Sequence, residues 1–307
     1  MHSSKWFKAF MVLGGLLQWL GLSQMAHASD HLCVSRIDGK VHCADGSSIY
    51  SANPSWTPRS TLNNMNVQRL WMIDRNSMQG SGTYGRTVAE PSRFLWASLT
   101  GTVQARPISA AADLSVATAP AADGSKAYFC MAQEGPMAIA GSHVIRCMDD
   151  ADNVGATTVD LPKPGGKKVT RFAIKPPAIW ALTQDGGVWY KPSITSSAND
   201  WVQQVGWASE IAVDPVNGKL CVIGGGQSIH CATNPTAPNP GWVQLPGWAT
   251  GLTLYNGKLW VIGGGNSLWY KPDQTAVYNW IQIPGSGTSI VAGGDLSLPL
   301  LCRANYY

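Results

Sequence analysis

The chain has 307 residues, 22 basic against 18 acidic, and only 13% charged residues, about half the usual quarter of a globular protein. A net charge of +4 gives no strong field, which argues against nucleic acid or an anionic membrane as the main partner. With 33 Gly, 19 Pro and 14 Trp, the composition points to a turn-rich β protein whose strands are buried on both faces.

Residues 1–28 read as a secretory signal peptide. Lys5 and Lys8 make a basic start, Phe10 to Leu22 an apolar run, and Ala26-His27-Ala28 a small-residue cleavage site. A membrane anchor would need about 20 apolar residues. This run is shorter and is broken by Gly14, Gly15 and Gln18. No later segment is long and apolar enough for a membrane span. The expectation is a secreted or periplasmic chain with 29–307 as one domain. Without Lys5 and Lys8, 20 basic and 18 acidic residues remain.

In chain order, a first hairpin runs from Leu32 to Cys43. Ser60 to Glu90 matches no repeat and reads as a long loop. Phe94 to Pro107 forms a second hairpin, and Tyr128 to Met148 a third with an inserted tip at 135–142. From about residue 170 the chain repeats itself. Gly187-Val-Trp-Tyr-Lys-Pro192 returns as Ser267-Leu-Trp-Tyr-Lys-Pro272, and Gly218-Lys-Leu-Cys-Val-Ile-Gly-Gly-Gly226 returns as Gly257-Lys-Leu-Trp-Val-Ile-Gly-Gly-Gly265. Trp242-Val-Gln-Leu-Pro-Gly247 returns as Trp280-Ile-Gln-Ile-Pro-Gly285, with a looser copy at Trp201.

Trp180, Cys221, Trp260 and Cys302 fall 41, 39 and 42 residues apart. A period near 40 with several short strands per unit is a propeller blade. In the clearest unit the strands are Gly251–Leu254, Lys258–Ile262, Ser267–Tyr270 and Trp280–Ile283, with Gly263 to Asn266 as the hairpin turn. Hairpins at 33, 96, 130, 180, 221 and 260 predict an all-β fold, a single β-propeller of about six four-stranded blades. Ser289 to Arg303 reads as inner strands with no hairpin after them. Pairing of N- and C-terminal strands in one blade would close the ring and leave no exposed edge there.

Seven cysteines in an exported chain suggest disulfides. Cys33 and Cys43 are ten apart, as are Cys221 and Cys231. The sister repeats hold Trp180 with Tyr190, and Trp260 with Tyr270, at the same spacing. Facing residues on neighbouring strands are close enough to bridge, so the site takes either a disulfide or an aromatic pair. Cys130 and Cys147 fit the same role. Cys302 is left over, either free or competing with Cys43 for Cys33. A metal at His42-Cys43 or His230-Cys231 is disfavoured, because neighbours on a strand point to opposite faces.

The search for catalytic chemistry is negative. There is no G-x-S-x-G elbow and no H-E-x-x-H motif. His42 and His230 occupy a repeat position held elsewhere by Trp189 and Trp269, which suits packing or rim residues. Asp149, Asp150 and Asp152 read as a solvated turn, and Gly263 to Gly265 as a hairpin tip. The expectation is a binding protein with no catalytic, metal or cofactor site. Most tryptophans are expected between blades. Those on the rim would stack on sugar faces while amides and amines meet hydroxyls. The candidate ligand-binding residues are Trp189, Trp207, Trp248, Trp269, Asn266, Lys271, Gln244 and Gln282.

Over about residues 170–300 the chain resembles the tectonin-type β-propeller family. The resemblance lies in Ala208 to Val213 (A-x-x-I-A-V), Gly257 to Gly263 (G-K-L-W-V-I-G), Asn266 to Tyr270 (N-S-L-W-Y) and the W-x-Q-[LI]-P-G closers. It implies a ring of about six blades. It also implies non-catalytic recognition of glycans, cell-surface polysaccharide or lipopolysaccharide. A protein partner in the envelope or a secreted complex is the alternative.

Overall fold

The computed structural model describes residues 30–38, 40–58, 66–72, 92–97, 103–107, 113–120, 127–134, 145–148, 158–294 and 300–305. The signal-peptide segment, the 135–142 insert and the acidic cluster at 149–152 lie outside the described residues.

The strands run in chain order as β1 (Asp30–Ser35), β2 (Val41–Asp45), β3 (Thr57–Pro58), β4 (Asn66–Met72), β5 (Ser92–Ala97), β6 (Val103–Pro107), β7 (Asp113–Pro120) and β8 (Ala127–Glu134). They continue as β9 (Ile145–Met148), β10 (Thr158–Leu161), β11 (Val169–Lys175), β12 (Ala178–Thr183), β13 (Gly187–Lys191), β14 (Val202–Trp207), β15 (Glu210–Val213) and β16 (Leu220–Ile223). Then come β17 (Ser228–Ala232), β18 (Trp242–Trp248), β19 (Gly251–Tyr255), β20 (Lys258–Ile262), β21 (Ser267–Lys271), β22 (Ile281–Ser286), β23 (Ser289–Gly294) and β24 (Leu300–Asn305).

Among the described residues these pair into six four-stranded sheets. Sheet I has the order β23-β1-β2-β3 and sheet II the order β4-β24-β5-β6. Sheets III to VI take β7–β10, β11–β14, β15–β18 and β19–β22, each in sequence order. The first strands neighbour one another in the series β4, β7, β11, β15, β19, β23, and β23 lies beside β4.

Two expectations are corrected. Asn66 to Met72, read as part of a long loop, is the first strand of sheet II. It lacks the glycine punctuation that marks the repeat elsewhere, and its ladder partner β24 lies far away in sequence. The C-terminal stretch from Ser289 also serves two sheets rather than one. β23 takes the free edge of β1, with Cys33 opposite Val291. Since β2 holds the other edge of β1, β24 pairs instead between β4 and β5. Cys302 stands opposite Leu70 and Leu95, in a different sheet from Cys33.

One cross-strand address recurs in every sheet, on its second and third strands. It holds Cys33 with Cys43, Cys302 with Leu95, Cys130 with Cys147, Trp180 with Tyr190, Cys221 with Cys231, and Trp260 with Tyr270. The three Cys–Cys pairs are disulfides. They fall in sheets I, III and V and so alternate with the Trp–Tyr pairs of sheets IV and VI, whose ring centroids are 5.4 Å apart. Trp180 and Trp260 each reach into the next sheet. Their indole N–H groups donate to the carbonyls of Pro235 at 2.8 Å and Ile49 at 3.3 Å. A disulfide is smaller than two rings. The sheets facing Cys130–Cys147 and Cys221–Cys231 fill the space with branched and aromatic residues, among them Phe172, Ile174, Leu254 and Leu259.

A second inter-sheet device uses four more tryptophans at the start of outer strands. Trp201, Trp242, Trp280 and Trp56 donate to backbone carbonyls of the preceding sheet's outer strand or its end. The acceptors are Pro162 (2.7 Å), Val205 (2.6 Å), Pro246 (2.6 Å) and Pro284 (2.8 Å). Trp56 thereby joins sheet I to sheet VI across 228 residues of sequence.

Replacing Trp56 by Phe keeps a ring and removes the donor. It is expected to lower unfolding stability by about 1 kcal/mol, the net worth of one such bond. Trp242→Phe should cost a similar amount. Urea denaturation followed by circular dichroism measures both.

Candidate functional site

Residues 29–307 hold twelve tryptophans. Six bridge sheets as above, and the side chains of Trp71 and Trp96 lie outside the described residues. The four that remain, Trp189, Trp207, Trp248 and Trp269, are the four singled out as candidates from the sequence.

Trp189, His230 and Trp269 hold equivalent places on third strands. Each faces an outer-strand glutamine: Gln203, Gln244 and Gln282. Directly opposed residues share one face of the sheet. A serine two residues upstream meets the ring nitrogen in two sheets. Trp269 Nε1 donates to Ser267 Oγ at 2.9 Å, and His230 Nε2 lies 2.9 Å from Ser228 Oγ. Sheet IV has Gly187 there, and Trp189 Nε1 has no hydrogen-bond partner. The Trp189 ring packs instead against Gly165, where an added Cβ would lie 2.8 Å from it.

Between sheets V and VI lies a groove of about 280 Å³. Its walls are Trp248, Trp269, Tyr278 and Trp280, with Gly263, Gly264 and Ser267 among the smaller lining residues. Trp248 is 51% exposed and Tyr278 71% exposed. Trp248 lies so close to Gly264 that an added Cβ there would be 2.7 Å from its ring. Only glycine permits that approach. The volume is just under the roughly 300–1,000 Å³ of drug-sized ligand sites.

The structure therefore brings Trp248 and Trp269 together and sets exposed Gln282 beside Trp269. Asn266 sits in the hairpin turn at φ 61°, where its carbonyl accepts from the Gly287 amide at 3.0 Å. Trp207, 52% exposed, lies apart on sheet IV, and Gln244 faces His230 on sheet V. Lys271 is buried, and its ammonium is taken up within its own sheet. It donates to the Val277 carbonyl at 2.7 Å and to Asn279 Oδ1, and it pairs with Asp273 at 3.1 Å. It also lies 5.7 Å from the centroid of Trp280, within cation–π range. It positions the loop that carries Tyr278 and does not reach into the groove. Lys191 does the same in sheet IV, on the Ala198 carbonyl and Asp200.

Sequence reasoning missed Tyr278 and Trp280 as lining residues. Trp280 was visible as a repeat closer, but its place in the groove was not. Tyr278 has no copy, since the loop after Lys-Pro differs in every repeat.

Burial would raise the Asp273 carboxyl, but hydrogen bonds from Thr275, Lys271 and Asn279 outweigh it and hold it well below the usual carboxylate range. Burial lowers the His230 imidazole from its usual value. Among the described residues, no group of three or more His, Cys, Asp or Glu stands ready to hold a metal, and no helix is long and apolar enough to cross a membrane.

The arrangement of strands and sheets defines an all-β propeller. No family model and no curated protein matches the chain. Solved structures do. A chain of the nidogen/laminin complex aligns over 86% of this chain and 98% of its own at 12% identity and a TM-score of 0.54. A chain of BBS1N in complex with ARL6DN aligns over 91% and 88% at 12% identity and a TM-score of 0.50. At such identities the likeness is one of fold.

Lys271→Met should lower stability by about 1–3 kcal/mol, because buried acceptors lose their donor. It should also raise proteolytic cleavage in the 272–280 loop. His230 is harder to protonate folded than unfolded, so its contribution is complete above about pH 6.5 and is lost as pH falls below it. His230→Phe should flatten that slope in urea melts between pH 7.5 and 5.

Proposed function

We propose that the protein is an exported, non-catalytic propeller of the tectonin type whose groove between sheets V and VI binds carbohydrate, either a glycan or lipopolysaccharide. On this reading, residues 1–28 are a cleaved signal peptide and 29–307 form one domain. The six sheets are then the blades of a closed ring. Pairing of β1 with β23 and the Trp56 contact to Pro284 support closure. Three disulfides support an oxidising compartment.

The observation that carries the sugar reading is the exposed pair Trp248 and Tyr278 over an uncharged groove. Aromatic faces stack on the C–H faces of a pyranose, and a few placed polar groups fix its orientation. Asn266 and Gln282 are the amides nearest that role, with Trp269 as the inner wall. No carboxylate lines the groove. A glycosidase would need a converging carboxylate pair, so the lining supports binding without hydrolysis.

A glycan array that includes lipopolysaccharides is expected to give binding that falls at least tenfold in Trp248→Ala, a change of about 1.4 kcal/mol. A blank array for the folded wild-type protein overturns the carbohydrate reading. A second reading is a protein-interaction scaffold, favoured by the exposed Val205, Trp207, Val243, Trp248, Val277 and Tyr278 on sheets IV to VI. It predicts a stable partner recovered from envelope extract by the wild type and lost with Trp248→Ala. Recovery of none would sink it.

A further inference from the structure

In the groove between sheets V and VI most polar side-chain groups are already taken. Trp280 Nε1 donates to the Pro246 carbonyl at 2.6 Å, and Trp269 Nε1 to Ser267 Oγ at 2.9 Å. Ser267, the one non-aromatic polar side chain of the lining, directs its own proton to the Gly264 carbonyl at 2.6 Å. Asn266 and Gln282 stand outside the lining. That leaves the indole N–H of Trp248 and the hydroxyl of Tyr278, both on exposed residues.

What the groove offers a guest is ring faces. Among the described residues, the ring–ring contacts at Tyr50–Trp260, Trp180–Tyr190 and Trp260–Tyr270 include none of the four groove rings. Three tryptophans and a tyrosine thus line about 280 Å³, with no carboxylate and no ammonium in the lining. An aromatic face carries the negative part of the ring quadrupole and attracts a cation. A primary ammonium would bring three N–H donors that this lining cannot satisfy, and leaving them unpaired opposes binding. A quaternary ammonium has none, and its charge is spread over methyl groups that suit an apolar groove. The nearby Lys271 ammonium, 5.7 Å from the Trp280 centroid, is buried and paired with Asp273 at 3.1 Å. These are the only charged residues in 271–280, so the loop beside the groove carries no net charge to repel the guest.

We propose that this groove binds a quaternary ammonium group, the trimethylammonium of choline or phosphocholine, among Trp248, Trp269, Tyr278 and Trp280. The proposal goes beyond the carbohydrate reading. On that reading the cation is a substituent of the glycan, whose hydroxyls stay at the Asn266 and Gln282 rim. The probe used below carries no sugar, so either reading can fail alone.

Tryptophan fluorescence of the full chain is titrated with choline chloride at constant ionic strength, and with 3,3-dimethylbutan-1-ol, which has the same shape and no charge. Choline is expected to bind about tenfold more tightly. Protein grown on 5-fluorotryptophan, whose ring faces are less negative, should lose affinity for choline and keep that for the alcohol. Tyr278 is 71% exposed, so Tyr278→Ala should fold and bind choline about tenfold more weakly, and Tyr278→Phe should restore it. Equal binding of choline and the alcohol, or no response to choline beyond that to sodium chloride, overturns the proposal. So does choline binding that Tyr278→Ala leaves unchanged. Glycan-array binding with choline silent leaves the carbohydrate reading standing alone, and choline binding with a blank array does the reverse. Where choline binds, cosedimentation with phosphatidylcholine vesicles assigns the group to a lipid headgroup, and its absence assigns it to a soluble or glycan-borne carrier.

Discussion

The structure depends on indole N–H groups that cross from one sheet to the next. A four-stranded sheet with apolar residues on both faces cannot stand alone in water, and it needs a neighbour on each side. Hydrophobic contact supplies the attraction but no direction. The hydrogen bonds from Trp201, Trp242, Trp280 and Trp56 supply direction, because each fixes how far one outer strand stands from the last. Trp180 and Trp260 do the same deeper in the interface. The high tryptophan content is thus first a matter of architecture, and recognition uses what is left over.

Repetition made the C-terminal half legible. The strands of sheet VI match the sequence reading to within a few residues at each end. The disulfide pairs followed from the equivalence of Cys221–Cys231 with Trp260–Tyr270. Asn66 to Met72 was illegible because its strand partner lies at the other end of the chain and no local turn announces it. The division of the C-terminal stretch between two sheets was hidden for the same reason. Within the candidate site, repeat position picked out Trp248 and Trp269, which line the groove, and Lys271, which is buried beneath its own loop. A Lys on a strand surface and a Lys folded under its own loop look alike in sequence.

The same repeat unit does different work in different sheets through single changes. Gly187 in place of serine leaves Trp189 without a partner. Gly186 in place of glutamine gives Trp207 a seat that Trp248 lacks. Both hairpins keep a left-handed residue before the third strand and the same amide-to-carbonyl bond. Variation confined to side chains on a conserved frame lets neighbouring clefts differ in what they hold.

The splitting of the C-terminal stretch has a consequence for the order of assembly. Sheet I lacks its first strand until residues 289–294 exist, and sheet II lacks its second until residues 300–305 exist. Sheets III to VI are each contiguous and can pair as they are made. During synthesis the earliest segments must therefore wait with open edges while later ones fold, which is the arrangement most exposed to mispairing between chains. The open edges therefore lie within residues 30–107 and close only with residues 289–305.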